Sequence, residues 1–417
     1  LSRSHSIVSP ASAPQSGFVQ VEAPIPELRL QRGEDRRLNA GHLWVFSNEV
    51  DTHATPLTAF SPGDAVQVVS DRGRFLGHAY VNPRSLICAR ILSRDPDRPI
   101  GRSLIVHRLR VALGLRRRLY EQPYYRLVHG ESDALPGLVV DRYGDVLVAQ
   151  IGTAGMERLK ADIVAALDKV LHPAGLLWKN DSGARELEGL PTYVETAAGI
   201  VPETVEIVEN GLRFAVPLAQ GQKTGWFFDQ ALNRATFLKY VSGARVLDVF
   251  SYLGAWGIAA ARHGAAEVTC VESSPHALTW LEHNARLNDV KVEARKGDAF
   301  DVLEALHAEK QRFDVVVLDP PAFIKRRKDL AKGQAAYRRL NQLGLQLLER
   351  DGVLVSCSCS YHLTDEDLLG AIQKAARHVS RFVQVLETGG QSPDHPLHPA
   401  IPETRYLKAF FCRAVHE

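Results

Sequence analysis

The spacing of hydrophobic positions along the chain changes twice, and each change predicts a different kind of structure. In the first stretch, residues 28–92, short apolar runs at 65–69, 75–81 and 86–92 are separated by Gly, Pro, Asn and Asp. Runs of that length with turn-forming punctuation predict a small β-rich module. The second stretch opens with apolar residues recurring every three or four positions over 104–120, a helix carrying Arg116, Arg117 and Arg118 together. Strands are then expected at 126–129, 138–141 and 146–150, with the Tyr143-Gly144 turn between the last two. A helix over 156–170 and a strand at 176–180 complete an α+β unit. Asn210-Gly211 separates 205–208 from 212–216 and supplies the positive φ angles of a type I′ turn, so a hairpin is expected there.

From about residue 245 strand and helix patterns alternate. Strands are predicted at 245–249, 267–272, 292–296, 313–319, 352–359, 382–387 and 406–412, with helices between the first five. That alternation is the signature of βαβ units and a mostly parallel sheet. The fold class is therefore α/β, a Rossmann-like sheet preceded by a β-rich module and a small α+β module. Ligands of such sheets bind at the carboxyl ends of the strands.

Length and composition narrow the reading further. A chain of 417 residues with 45% hydrophobic composition can bury two or three cores. The expected division is a disordered leader at 1–26, a β-rich module at 27–97, an α+β unit at 98–204 and the α/β domain at 205–417. The leader is rich in Ser, Pro, Ala and Gln and has no acid before Glu22. With 50 Lys+Arg against 48 Asp+Glu, the formal charge is only +2, so a polyanion must be held by local patches. Five scattered cysteines do not resemble a secreted disulfide framework, and a cytoplasmic location is expected. No run approaches the ~18 to 20 apolar residues of a membrane span, so no membrane partner is expected.

Candidate chemistry gathers at the strand ends. The first ends at Asp248-Val249-Phe250 and runs into Ser251-Tyr252-Leu253-Gly254, where glycine lets backbone pass close to a ligand. Glu272 lies 18 residues beyond Gly254, about where a ribose-binding carboxylate belongs. Asp298-Ala299 follows the third strand, placed to meet an adenine ring. The fourth ends in Asp319-Pro320-Pro321-Ala322-Phe323, whose prolines fix a carboxylate able to read the amino edge of a base. The fifth ends in Ser356-Cys357-Ser358-Cys359-Ser360, and alternation puts both thiols on one face. Their spacing does not suit a zinc site, and no metal is expected. A thiolate beside a base and a methyl donor has a definite use: added to C6 of cytosine, it makes C5 nucleophilic. Lys325, Arg326, Arg327, Lys328, Lys332, Arg338 and Arg339, with Tyr337 among them, form a basic run where a phosphate backbone would lie. A smaller basic group, Arg29, Arg32, Arg36 and Arg37, precedes the aromatic pair Trp44 and Phe46.

The chain resembles the bacterial 23S ribosomal RNA cytosine-5 methyltransferases that carry an N-terminal PUA domain. The markers are Gly41-His42-Leu43-Trp44-Val45-Phe46-Ser47, Glu131-Ser132-Asp133-Ala134-Leu135-Pro136-Gly137, Lys223-Thr224-Gly225-Trp226-Phe227-Phe228-Asp229-Gln230, Asp319-Pro320-Pro321-Ala322-Phe323 and Ser358-Cys359-Ser360. The resemblance implies a PUA RNA-binding domain, a middle α+β domain and a class I methyltransferase domain that uses S-adenosyl-L-methionine on 23S rRNA. It maps the nucleophile to Cys359 and a substrate-holding role to Asp319. Donor-binding positions carry over to Asp248, Phe250, Tyr252, Gly254, Glu272, Ser273, Asp298, Ala299 and Asp319, with Lys223, Asp229 and Gln230 in the lead-in segment. A second cysteine after the strand-four proline, present in many RNA cytosine-5 methyltransferases, is replaced here by Pro321 and Ala322. Methylation of an exocyclic amino group and a non-catalytic RNA-binding assembly role are the rival readings, and a homodimer is compatible with either.

Overall fold

The computed structural model describes residues 24–416. Most of the expected leader thus lies outside the described residues. The first sheet contains β1 (Glu27–Arg29), β2 (Trp44–Phe46), β3 (Asp64–Val69), β4 (Phe75–Val81) and β5 (Ile87–Ser93), in the order β1-β3-β4-β5-β2. Its own core is built from Leu28, Val45, Val66, Val81 and Ile91.

A second sheet holds β6 (Tyr124–His129), β7 (Leu138–Tyr143), β8 (Val146–Ile151), β9 (Gly175–Asn180) and β10 (Tyr193–Gly199), in the order β10-β9-β8-β7-β6. The helix Arg102–Leu119 packs here, and of the arginine run 116–118 only Arg116 is buried, in an ion pair with Asp133 at 2.6 Å. Two features of this unit differ from the pattern. The single helix expected at 156–170 is two, Ala154–Arg158 and Lys160–Leu171. The first turn is pinned to the neighbouring sheet, because a Cβ at Gly155 would lie 1.9 Å from the Tyr80 ring and the Tyr80 hydroxyl donates to Thr153. β10 was not anticipated, since its residues are mostly exposed and show no apolar alternation.

The hairpin β11 (Thr204–Glu209) and β12 (Leu212–Pro217) turns through Asn210 and Gly211, with φ of 50° and 76° as a type I′ turn needs. It is glued to both neighbours. Tyr143, Val146 and Leu177 of the second sheet share one apolar core with Phe214 and Val216 of the hairpin and with Trp226, Leu253 and Ile258 beyond it.

The third sheet comprises β13 (Arg245–Val249), β14 (Glu267–Glu272), β15 (Glu293–Lys296), β16 (Phe313–Leu318), β17 (Leu348–Ser358), β18 (Arg381–Gly389) and β19 (Lys408–His416). Its order is β15-β14-β13-β16-β17-β19-β18, with every neighbouring pair parallel except those made by β19. All seven strands were legible in sequence, although the last begins two residues later than expected. Strand order reverses at β13, so the carboxyl ends of β13, β14, β16 and β17 surround the place where such sheets bind ligands. No helix among the described residues is long and apolar enough to cross a membrane.

Candidate active site

A cavity of about 460 Å³ opens at that switch point. One of its walls is set by the loop after β13. Phe250 and Tyr252 adopt φ of 68° and 50°, a left-handed conformation that costs energy in non-glycine residues and is kept where surroundings hold it. Here Glu272 does so: its Oε2 accepts from Tyr252 N at 2.9 Å and its Oε1 from Ser274 N at 2.8 Å. The Tyr252 hydroxyl in turn accepts from Gln222 N at 2.9 Å and donates to the Gly225 carbonyl at 3.0 Å, anchoring the segment that carries Lys223.

Asp319, just past β16, is held on both oxygens. Gln230 Nε2 donates to Oδ1 at 2.8 Å and Trp256 Nε1 to Oδ2 at 3.1 Å. Burial, helped by the charge of Asp229, pushes its pKa up to about 6 against those donors and Arg234. Asp229 shows the opposite balance. Burial alone would raise it, yet His395, Lys223, the Tyr406 hydroxyl and Arg126 outweigh that and lower it to about 2. Tyr406 donates to Asp229 Oδ2 at 2.6 Å, while Oδ1 is buried without a partner.

Cys359 sits one residue beyond β17, between two clasped serines. The Tyr337 hydroxyl lies 2.9 Å from both Ser358 Oγ and Ser360 Oγ, and Lys408 Nζ donates to the Ser360 carbonyl at 2.7 Å. Burial lowers that lysine to about 8. Burial also raises the Cys359 thiol, opposed first by Lys223. Cys357 is 1% exposed, in the core with Val317 and Phe411, and is not among the cavity's lining residues.

The structure brings together Lys223, Asp229, Gln230, Phe250, Tyr252, Glu272, Ser273, Asp319 and Cys359 around one space. Four other expected positions do not line it. Asp248 lies beneath the loop, accepting from Gly257 N at 2.9 Å, and Gly254 starts a helix with φ of 89°. Asp298 is exposed and caps the helix Ala299–Ala308 through Phe300 N, which leaves Ala299 buried in the first turn. Tyr337 is fully buried and so is separated from the exposed cations around it. Likewise Trp44 is half-buried, its indole donating to Glu131 at 2.9 Å, and Phe46 lies under the Arg37 guanidinium. Pattern reading missed Tyr406 and Lys408 as parts of the site, and Trp256 and Gln230 as the holders of Asp319. None carries a local signal, because their partners are 48 to 177 residues away in sequence.

Fold and cavity define a class: this is an S-adenosylmethionine-dependent methyltransferase, and the family model so described matches residues 191–411, with a PUA-like domain matching residues 28–94. Within that class, the chain belongs to the family of ribosomal RNA large subunit methyltransferase I. It is 34% identical to the protein of that name from Shigella boydii over 395 residues, covering 93% of this chain and 99% of the relative. The Klebsiella pneumoniae protein is 34% identical over 397 residues, covering 94% and 98%. A solved structure from Streptococcus mutans, described as a SAM-dependent methyltransferase, superposes with a TM-score of 0.80 at 22% identity, covering 93% of this chain and all of that one. The three-part fold is therefore shared along the whole described chain.

Proposed function

We propose that this chain transfers a methyl group from S-adenosylmethionine to C5 of a cytosine in 23S ribosomal RNA, with Cys359 as covalent nucleophile. One observation carries the reading: of the five cysteines, Cys359 alone lines the transferase cavity and alone is not buried. The relatives' name supplies the ribosomal RNA, and the cavity supplies the chemistry.

The residues fit the methyl donor. The unpartnered Oδ1 of an ionised Asp229 suits the donor's ammonium group, and Glu272, fixed by two backbone amides, keeps lone pairs for ribose hydroxyls. When bound, the donor supplies an electrophilic methyl. The Cys359 thiolate adds to C6 of cytosine, favoured by the cationic Lys223. Electron density moves toward N3, where Asp319, with its raised pKa, can share a proton. C5 then takes the methyl, loses its proton to a base, and the thiolate leaves with the C5–C6 double bond restored. Exposed Lys325, Arg326, Arg327 and Lys328 beside the cavity suit the phosphate backbone. We assign residues 27–97 to RNA binding, 98–204 to the middle unit and 205–417 to transfer, in the cytoplasm where ribosomes are built.

The test is RNA containing 5-fluorocytosine, which cannot lose its C5 substituent and traps the adduct. Wild type should give a denaturation-resistant complex, and Cys359→Ala none, while still binding donor. An adduct surviving in Cys359→Ala would overturn the assignment. Methylation of 23S RNA without any adduct in wild type would favour an exocyclic amino group instead.

A further inference from the structure

Just past the cavity the chain turns back on itself around one buried serine. Ser360, fully buried, accepts at its carbonyl from Leu363 N at 3.1 Å and from Lys408 Nζ at 2.7 Å, and at its Oγ from Ile324 N at 3.2 Å. Leu363, which closes the turn, is also fully buried. Thr364 then caps the helix Asp365–His378: its Oγ1 accepts from Asp367 N at 3.1 Å and its N donates to Asp367 Oδ2 at 3.2 Å. Both ends of the turn are thus fixed, and its corner is Tyr361-His362.

Tyr361 is 40% exposed. Among the described Phe, Tyr and Trp residues, only Phe382 on the edge strand β18 is also exposed. Neighbours hold the ring all the same. His362 lies against it with centroids 5.1 Å apart and planes at 58°, and burial, then the charge of nearby Glu403, raises its phenol. A tyrosine held in this way and left facing water can bury its ring against a partner at little conformational cost.

Position identifies the partner. Tyr361 lies two residues beyond Cys359, so at most about 7 Å of chain separates it from a lining residue of the transferase cavity. Cations come close to it from two segments. Ile324, tied to Ser360, leads directly into exposed Lys325, Arg326, Arg327 and Lys328, and exposed Arg405 pairs at 2.9 Å with Asp365 just after the turn. An aromatic ring beside clustered cations is the means by which single strands are bound, with bases stacking on the ring and phosphates meeting the charge. We propose that Tyr361 is a stacking platform for the nucleotide next to the target cytosine. It is a positioning residue, fixing where the strand runs at the mouth of the cavity, and takes no part in the chemistry. The inference rests on the RNA methyltransferase reading.

The full chain is compared with Tyr361→Ala, Tyr361→Phe and Tyr361→Trp in filter binding to protein-free 23S rRNA and in calorimetry with S-adenosylhomocysteine. Tyr361→Ala should bind the RNA about tenfold more weakly, the loss expected for one stacked base. Tyr361→Phe and Tyr361→Trp keep an aromatic face and should stay within about twofold of wild type. Affinity for S-adenosylhomocysteine should be the same throughout. Placement is read separately: once the methylated cytosine has been mapped by mass spectrometry, 2-aminopurine is put on either side of it in an RNA fragment, where stacking quenches its fluorescence. Wild type and Tyr361→Phe should quench one of these positions, and Tyr361→Ala neither. Unchanged RNA affinity in Tyr361→Ala, an equal loss in Tyr361→Phe, or no quenching by wild type overturns the platform. RNA bound with this pattern of affinities but never methylated strikes the transferase reading instead and leaves the platform standing.

Discussion

The loop after β13 and the turn after β17 border the same cavity, yet they are held in place by different means. After β13 the holding is mainly backbone: two left-handed residues, Phe250 and Tyr252, and amides of Tyr252 and Ser274 that converge on Glu272. After β17 the holding is side chain to side chain, with Tyr337 bridging Ser358 and Ser360 on either side of Cys359. A wall built from backbone is insensitive to most substitutions. A wall built from hydroxyls can be loosened by removing one oxygen, and Cys359, the proposed nucleophile, stands on that wall. The difference suits the two proposed tasks, since a donor shared by many enzymes needs a generic cradle and an attacking thiol needs one fixed direction.

Tyr337→Phe tests that contrast most sharply. It removes the bridging hydroxyl and leaves two buried serine hydroxyls short of a partner, a loss of about 1 to 3 kcal/mol of stability. Single-turnover methylation should fall roughly tenfold or more through misplacement of Cys359, with donor affinity unchanged in calorimetry. Equal losses in turnover and donor binding would mean the two walls are not independent.

Glu272→Gln probes the other wall. One carboxylate oxygen becomes an amide donor facing a backbone amide, so donor affinity should drop about tenfold. RNA affinity, followed by filter binding, should stay nearly the same. A loss confined to RNA binding would remove Glu272 from the donor cradle.

The smallest expected effect concerns Asp248, beneath the loop. Burial raises its pKa from 3.8 to about 7, and its Oδ1 has no partner. Because the folded value lies above the unfolded one, the stabilisation is complete below about pH 4 and is lost as pH rises through about 7. Asp248→Asn should therefore lose less melting temperature than wild type between pH 5 and pH 8, by a few degrees. Identical pH slopes would show that Asp248 is not the titrating group.

Much of this was legible beforehand because it is periodic or local. The seven strands of the third sheet announce themselves by apolar runs, and Asn210-Gly211 by its turn chemistry. Asp319 and Cys359 could be paired from sequence because parallel strands deliver their ends to one edge. What escaped is set by tertiary contact. The break at Leu159 follows from Gly155 docking under Tyr80, and the exposed edge strand β10 has no apolar face to read. Tyr337 sits in a run of cations and groups with them as a place for a phosphate backbone, whereas helix Leu330–Leu347 turns it inward onto the serines. Asp298 and Asp248 occupy expected positions in the chain, but one caps a helix and the other supports a loop.

The apolar core that joins Tyr143, Val146 and Leu177 to Phe214, Trp226 and Leu253 also bears on how such an enzyme could be cut or recombined. The Tyr143 hydroxyl accepts from Trp226 N at 2.9 Å and donates to the Thr224 carbonyl at 3.0 Å, so the middle unit grips the very segment that presents Lys223, Asp229 and Gln230. A transferase domain expressed alone would carry a bare greasy flank and a slack lead-in strap. Exchange of middle units between relatives would succeed only when the strap travels with them, which makes the two a single heritable block.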